Sequence, residues 1–245
     1  HVSSSKAWRS ILGDRWRRGR SLQRAIALIF RTYKVAINKG LGAALADFWP
    51  SNKTSIGSYD EWLLKYDGPD QHRNVDGFIG DLAYQPLISI ILPTFNSNLS
   101  FLTQAIESVT GQSYPNWQLC IADDASTDKI LTDYLKELEN NEKISIIYRE
   151  SNGHISTATN SALDLANGEF VTFLDHDDKL HPHALAAVVS KLNEDQGLDI
   201  LYSDEDKIDE HGNRSAPFFK PGWSPDLLLS QNYTCHLSVY RKALI

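Results

Sequence analysis

The chain has 245 residues, 42% of them hydrophobic, enough to bury the core of one large α/β domain or of a medium domain with an appendage. Its formal net charge of −7 is unevenly spread: residues 1–40 carry ten Lys and Arg against one acid, Asp14, a local balance of +9 that leaves −16 for the remainder. An acidic body without a recognised basic binding motif speaks against nucleic acid as a partner. Two cysteines without C-x-x-C spacing, Cys120 and Cys235, speak against a disulfide scaffold or a thiolate metal site and are expected as buried free thiols.

From Trp8 to about Trp49, Leu22, Ile26, Ile29, Phe30, Tyr33, Ile37, Leu41 and Leu45 recur at steps of three and four. That spacing predicts an amphipathic helical segment, weakened locally by Gly40 and Gly42. With Arg15, Arg17, Arg18, Arg20, Arg24, Arg31 and Lys34 around the stripe, two readings stand side by side. The segment either lies on an anionic membrane surface or packs its stripe on the main domain with its basic groups in water. The apolar run Ala25 to Phe30 is too short to span a bilayer and lacks a small-residue cleavage pattern, so the expected location is cytoplasmic, peripheral at the inner face of the cell membrane under the first reading. The start at His1 and the lack of methionine predict a processed or cut chain. Residues 50–85, rich in Gly, Pro, Asp, Asn and Ser around a short helix from Tyr59 to Tyr66, read as a connector. The expected division is therefore 1–85 against 86–245.

From Pro86 the pattern becomes regular. Leu87 to Leu92 is a buried strand halted by Pro93, followed by a helix with Leu102, Ala105, Ile106 and Val109 at helical spacing. Strands at 118–122, 144–148, 170–174 and 199–202 then alternate with helices near 129–139, 156–166 and 182–193, the last opened by Pro182 at a favoured first-turn position. Such a series predicts an α/β fold with a mostly parallel sheet and helices on both faces, plus a helical N-terminal appendage.

In open α/β sheets the ligand crevice lies beyond the carboxyl ends of the strands, and three of these ends carry distinctive polar residues that should meet at one edge. The first ends Pro93-Thr94-Phe95-Asn96 and the second Ala122-Asp123-Asp124-Ala125-Ser126-Thr127-Asp128. The strand Phe170 to Leu174 runs straight into Asp175, Asp177 and Asp178. Hard carboxylate oxygens so crowded suit Mg²⁺ or Mn²⁺, although a solvated acidic turn capping the next helix has the same local pattern. Asp128 reads as a helix cap and Asp124 as a functional group. After the third strand, Gly153 is expected to adopt an unusual backbone angle and let a ligand approach, with His154 either beside it in the site or at the surface. The absence of G-x-G-x-x-G and of a Gly-Lys-Ser/Thr loop argues against a dinucleotide oxidoreductase and a P-loop enzyme, so a phosphate here would be held mainly by metal.

Taken together, Ile-Leu-Pro-Thr-Phe-Asn (91–96), Ala-Asp-Asp-Ala-Ser-Thr-Asp (122–128), Asn-Gly-His-Ile-Ser (152–156) with Asn160, and Leu-Asp-His-Asp-Asp (174–178) resemble the nucleotide-sugar-binding half of a family-2 glycosyltransferase of the GT-A, Rossmann-like fold, over about residues 86–245. The resemblance implies an inverting, metal-dependent transfer of a sugar from a nucleoside diphosphate sugar to a glycan or lipid-linked acceptor. It implies that Thr94 and Asn96 line the nucleotide pocket and that Asp124 meets the base. Asp175 and Asp177 match the family's DxD, serving the ribose and a Mn²⁺ or Mg²⁺ ion on the diphosphate, with Asp178 as an alternative ligand. The later runs 202–209, 219–228 and 231–236 resemble a bacterial branch acting in cell-surface polysaccharide assembly and would border the acceptor, although 209–213 also reads as an ordinary polar hairpin turn. The family's catalytic base normally lies on an acidic motif further along than Ile245, so the base is expected outside this sequence. The rivals are a non-catalytic module of the same fold that binds a nucleotide or a partner, and a nucleotidyltransferase, whose usual glycine- and lysine-rich phosphate loop is missing here.

Overall fold

A computed structural model describes residues 58–67 and 79–245. The basic stripe of residues 1–49 and most of the connector lie outside the described residues. Residues 63–245 form one compact unit. Helix α1 (Tyr59–Tyr66) falls on the expected residues, with Asp60 and Glu61 in its first turn and Lys65 in its last, each sign matching the helix dipole.

The unit is organised on a sheet of six strands among the described residues: β1 (Ile88–Thr94), β2 (Trp117–Asp123), β3 (Ile144–Tyr148), β4 (Phe170–Phe173), β5 (Ile200–Tyr202) and β8 (Ser238–Arg241), in the order β3-β2-β1-β4-β8-β5. Strands β1 to β4 run parallel, joined by helices α2 (Leu99–Thr110), α3 (Lys129–Leu138) and α4 (His154–Asp164). Both central strands, β1 and β2, are buried along their whole length, which is why they read as continuous apolar runs rather than alternating ones. Successive residues of β1 still divide between the faces. Ile88, Ile90 and Leu92 join the larger core with Leu102, Ile106 and Val109 of α2 and Leu131 of α3, whereas Ile91 joins Cys120, Val171 and the small face Ala158 and Ala162 of α4. The four positions predicted to form the stripe of α2 are its buried residues. Asp128 caps α3 as expected, its Oδ1 accepting from Ile130 N at 2.9 Å.

Two features depart from the reading of the sequence. Helix α5 (Ala184–Glu194) starts two residues after Pro182, whose carbonyl instead accepts from Ser113 N in the loop after α2, at 2.9 Å. More consequential is β8, which inserts antiparallel between β4 and β5, so the sheet is mixed on that side. Strand β5 therefore reaches the sheet only through β8. A separate hairpin, β6 (Glu205–Ile208) and β7 (Arg214–Phe218), turns at Asp209 to Asn213 with Gly212 at φ +83°, a left-handed angle that glycine adopts without strain. A short helix α6 (Pro225–Ser230) follows it.

The entry to β4 is held by a buried polar cluster. Ser89 Oγ donates to Gln118 Oε1 at 3.0 Å and accepts from Gly168 N at 2.9 Å, while Gln118 Nε2 donates to the Leu165 carbonyl at 3.1 Å. Gly168 is pressed so closely on β1 that a β-carbon would lie 2.7 Å from both Leu87 O and Ser89 N. Among the described residues no helix is long and apolar enough to cross a membrane.

Candidate functional site

The carboxyl ends of β1, β2 and β4 lie side by side. Thr94 pairs with Asp123, Asp124 N donates to Thr94 O at 2.9 Å, and Leu174 N donates to Ile91 O at 3.0 Å. Thr94 is buried, its hydroxyl 2.8 Å from that of Ser97. Asn96 is exposed, with a left-handed φ of +45°, and its side-chain oxygen accepts from Thr127 N at 2.8 Å and Asp128 N at 3.2 Å. That side chain thus ties the loop after β1 to the loop after β2 and fixes the floor of the edge.

Asp124 is buried, and its carboxylate is already engaged from two sides. Gly153 N donates to both oxygens at 3.0 and 3.1 Å, and Arg149 Nε lies 2.8 Å from Oδ1, close enough to pair as an ion although its N–H is not aligned for a hydrogen bond. Gly153 is correspondingly needed for a different reason from the one read in the sequence. Its φ of −123° is ordinary, but a β-carbon there would meet Arg149 Nη2 at 2.5 Å. The unusual angle belongs to its neighbour His154, exposed at the first residue of α4 with φ +63°. Beside Asp124, buried Asp123 gives Oδ2 to Ser126 N at 3.2 Å and leaves Oδ1 without a hydrogen-bond partner. An orphaned carboxylate oxygen at this edge is a feature the sequence pattern did not separate from capping.

At the end of β4 the structure gathers Asp175, Asp178 and His236. One donor atom from each lies within 4.8 Å of the others, with His236 Nε2 3.8 Å from Asp175 Oδ2 and Nδ1 3.7 Å from Asp178 Oδ2. Asp177 is exposed and stands outside this group. The donor set, two carboxylates and one imidazole, suits Mn²⁺ or Mg²⁺. Burial raises the carboxyl of Asp178 above the ordinary carboxylate range, with the neighbouring imidazole opposing and Asp175 and Asp177 adding to the rise.

His236 reaches the acids because β8 is antiparallel. Phe170 pairs with Arg241 and Thr172 with Val239, so the residues that lead into β8 stand beside the residues that leave β4. Beyond His236 opens a cavity of about 290 Å³ bordered by Phe173, Cys235 and Tyr240. Cys120 is buried and free as expected, whereas Cys235 is only half-buried and borders this cavity.

With this geometry in place, comparison with known proteins adds a frame. The model of the family described as glycosyl transferase family 2 matches residues 89–245. An O-antigen biosynthesis protein, RfbC, from Myxococcus xanthus is 38% identical over 194 residues, covering 79% of this chain and 15% of its own length. Over 164 residues an uncharacterised protein, y4gI, from Sinorhizobium fredii is 44% identical, covering 65% of this chain and 18% of its own. A putative teichuronic acid biosynthesis glycosyltransferase, TuaG, of Bacillus subtilis is 40% identical over 97 residues, 39% of this chain and 38% of its own. The chain thus spans well under half the length of each of these three relatives. Among solved structures, TarS 1–349 of S. aureus in complex with UDP is similar with a TM-score of 0.52 and 26% identity, over 64% of this chain and 47% of that one.

Proposed function

The chain belongs to glycosyl transferase family 2, and from that premise we propose that residues 86–245 bind the nucleoside diphosphate sugar of an inverting, metal-dependent transfer serving bacterial surface polysaccharide assembly. The observation that carries this reading is the gathering of Asp175, Asp178 and His236 at the edge where Thr94, Asp123 and Asp124 also end. Support for the donor comes from TarS, whose structures hold UDP and UDP-GlcNAc on a similar fold. Support for the pathway comes from the relatives named for O-antigen and teichuronic acid biosynthesis.

In physical terms the residues divide the work. Asp175, Asp178 and His236 would hold the cation, with exposed Asp177 free to reach a ribose or a second coordination position from solvent. A bound Mn²⁺ or Mg²⁺ would supply charge neutralisation and Lewis acidity at the departing diphosphate. Thr94, Asn96 and Asp124 fix the nucleotide side, Asp124 locked by Arg149 and Gly153 so that the loops keep their spacing. His154 and Gly153 sit where α4 begins and would meet the donor's pyrophosphate side. The hairpin β6–β7 and helix α6, with exposed Phe219, Trp223 and Leu229, face an acceptor of glycan or lipid-linked type in this reading.

A panel of nucleoside diphosphate sugars titrated with and without Mn²⁺ tests the proposal. Binding of at least one donor that falls tenfold or more in EDTA is the expected result; no binding to any nucleotide by the folded protein would favour the non-catalytic module. For the N-terminal region, the +9 balance of residues 1–40 supports contact with an anionic bilayer, each basic group near such a surface contributing about 1 kcal/mol. Sedimentation with anionic liposomes should therefore be lost at high salt, where the Debye length shrinks to about 3 Å. Binding that survives both 1 M salt and deletion of residues 1–40 would assign it elsewhere.

A further inference from the structure

We infer that Lys220 and Glu205 form a clamp whose task is to position His236, and thereby to set the affinity of the Asp175–Asp178–His236 group for a divalent cation. The inference deepens the metal reading given above and rests on it. Lys220 follows β7, and its side chain is only 1% exposed, yet it is not sealed in an apolar core. Its Nζ lies 2.9 Å from Glu205 Oε2 and donates to the carbonyls of His236 at 2.7 Å and Thr234 at 3.2 Å. The same Glu205 Oε2 accepts from His236 N at 2.5 Å. One ion pair thus grips the peptide groups on both sides of the His236 Cα, the N–H through Glu205 and the C=O through Lys220.

The grip extends to Leu237 and Ser238 after His236 and to Thr234 two residues before it. Ser203 Oγ accepts from Leu237 N at 3.3 Å and Ser203 N donates to Leu237 O at 3.0 Å, while the Thr234 carbonyl also accepts from Ser238 Oγ at 2.8 Å. Lys220 itself is held at its backbone, where Asp204 Oδ1 accepts its N–H at 2.7 Å. The groups that hold the approach to His236 come from the end of β5, from the root of the β6–β7 hairpin and from the turn entering β8, with Thr172 of β4 donating to Ser238 O at 2.7 Å. A buried ammonium is costly unless it is paired and fully hydrogen-bonded, and removing one partner leaves the other charge uncompensated. An apolar pair would hold a loop at lower cost, so the observed charges point to a requirement for direction: both peptide groups of one residue are fixed, and that residue presents its imidazole to two carboxylates.

Titration of the protein with Mn²⁺ alone, followed by calorimetry or by the EPR signal of free ion, tests this without turnover or donor. Lys220→Met keeps the length of the side chain and removes its charge, and Glu205→Gln keeps an acceptor for His236 N and removes the pair. Each should weaken Mn²⁺ binding about 10–100-fold, the usual cost of losing groups that orient a metal ligand. Each should cost little more when introduced into His236→Ala, because the clamp acts only through that side chain. Losses that add fully on the His236→Ala background, or unchanged Mn²⁺ affinity in Glu205→Gln, overturn the clamp while leaving the metal group intact. Wild-type Mn²⁺ affinity in His236→Ala overturns the metal reading and the clamp with it. Lys220→Met is scored only if its thermal unfolding remains cooperative; Glu205→Gln, on a partly exposed side chain, decides the question otherwise.

Discussion

Asp178→Ala should weaken Mn²⁺-dependent donor binding by about 100-fold or more, and Asp177→Ala by less. Groups that merely orient a ligand cost about 10–100-fold when removed, so loss of a ligand itself sets that range as a floor. The order of the two effects matters more than either size. Asp178 lies with Asp175 and His236, whereas Asp177 is exposed to solvent outside that group. Isothermal titration of both variants with a nucleoside diphosphate, with and without Mn²⁺, gives the comparison directly. A larger loss in Asp177→Ala would return the ion to Asp177, the ligand that the DxD resemblance implies, and would mean that the residues 175–178 rearrange when a donor binds.

Gly168→Ala should produce the largest loss of stability of any Gly→Ala change among the described residues. Its β-carbon would sit 2.7 Å from two backbone atoms of the strand it packs on and 2.8 Å from Phe170 O, and backbone in the middle of a sheet cannot step aside. Overpacking of this kind costs typically about 1–3 kcal/mol and occasionally more. At about 3 kcal/mol, a unit of this size should melt roughly 6–12 °C lower. Gly212→Ala, where nothing lies within 4 Å, is the contrast: its penalty comes only from the left-handed angle, about 1 kcal/mol. Thermal unfolding followed by circular dichroism separates the two, and a Gly168→Ala protein melting within about 2 °C of wild type would show that β4 can shift away from β1.

What the sequence makes legible is what is local. The stripe of α2 is set by spacing within twelve residues, and the acids after β4 follow their strand directly, so residue types and their order are enough to find both. The parallel run β1 to β4 follows from helices and strands that alternate, since parallel strands need such crossovers. His236 is not legible as a member of the metal group, because it lies far along the chain from Asp178 and meets it only through an antiparallel strand that breaks the alternation. Gly153 and Gly168 illustrate the same limit. The first is required by a guanidinium four residues back and the second by a strand about eighty residues back, and neither constraint leaves a mark on the neighbouring residue types. Asn96, read as a lining of the pocket, spends its side-chain oxygen on the loop after β2, a pairing that becomes visible only once the two strand ends are side by side.

The insertion of β8 between β4 and β5 also sets an order of events on the ribosome. As the chain emerges, β1 to β4 can pair with one another and with their helices using only residues already made, but β5 has no strand to join until residues 238–241 follow it. During that interval the free side of β4 presents unpaired peptide groups from Phe170 to Thr172, the kind of edge on which nascent chains associate wrongly. Arrival of β8 covers that edge, gives β5 its partner and brings His236 beside Asp175 and Asp178. A nascent chain therefore acquires its complete acid and imidazole group only when its sheet has lost its exposed seam, and a partly made chain has neither the finished group nor the protected edge.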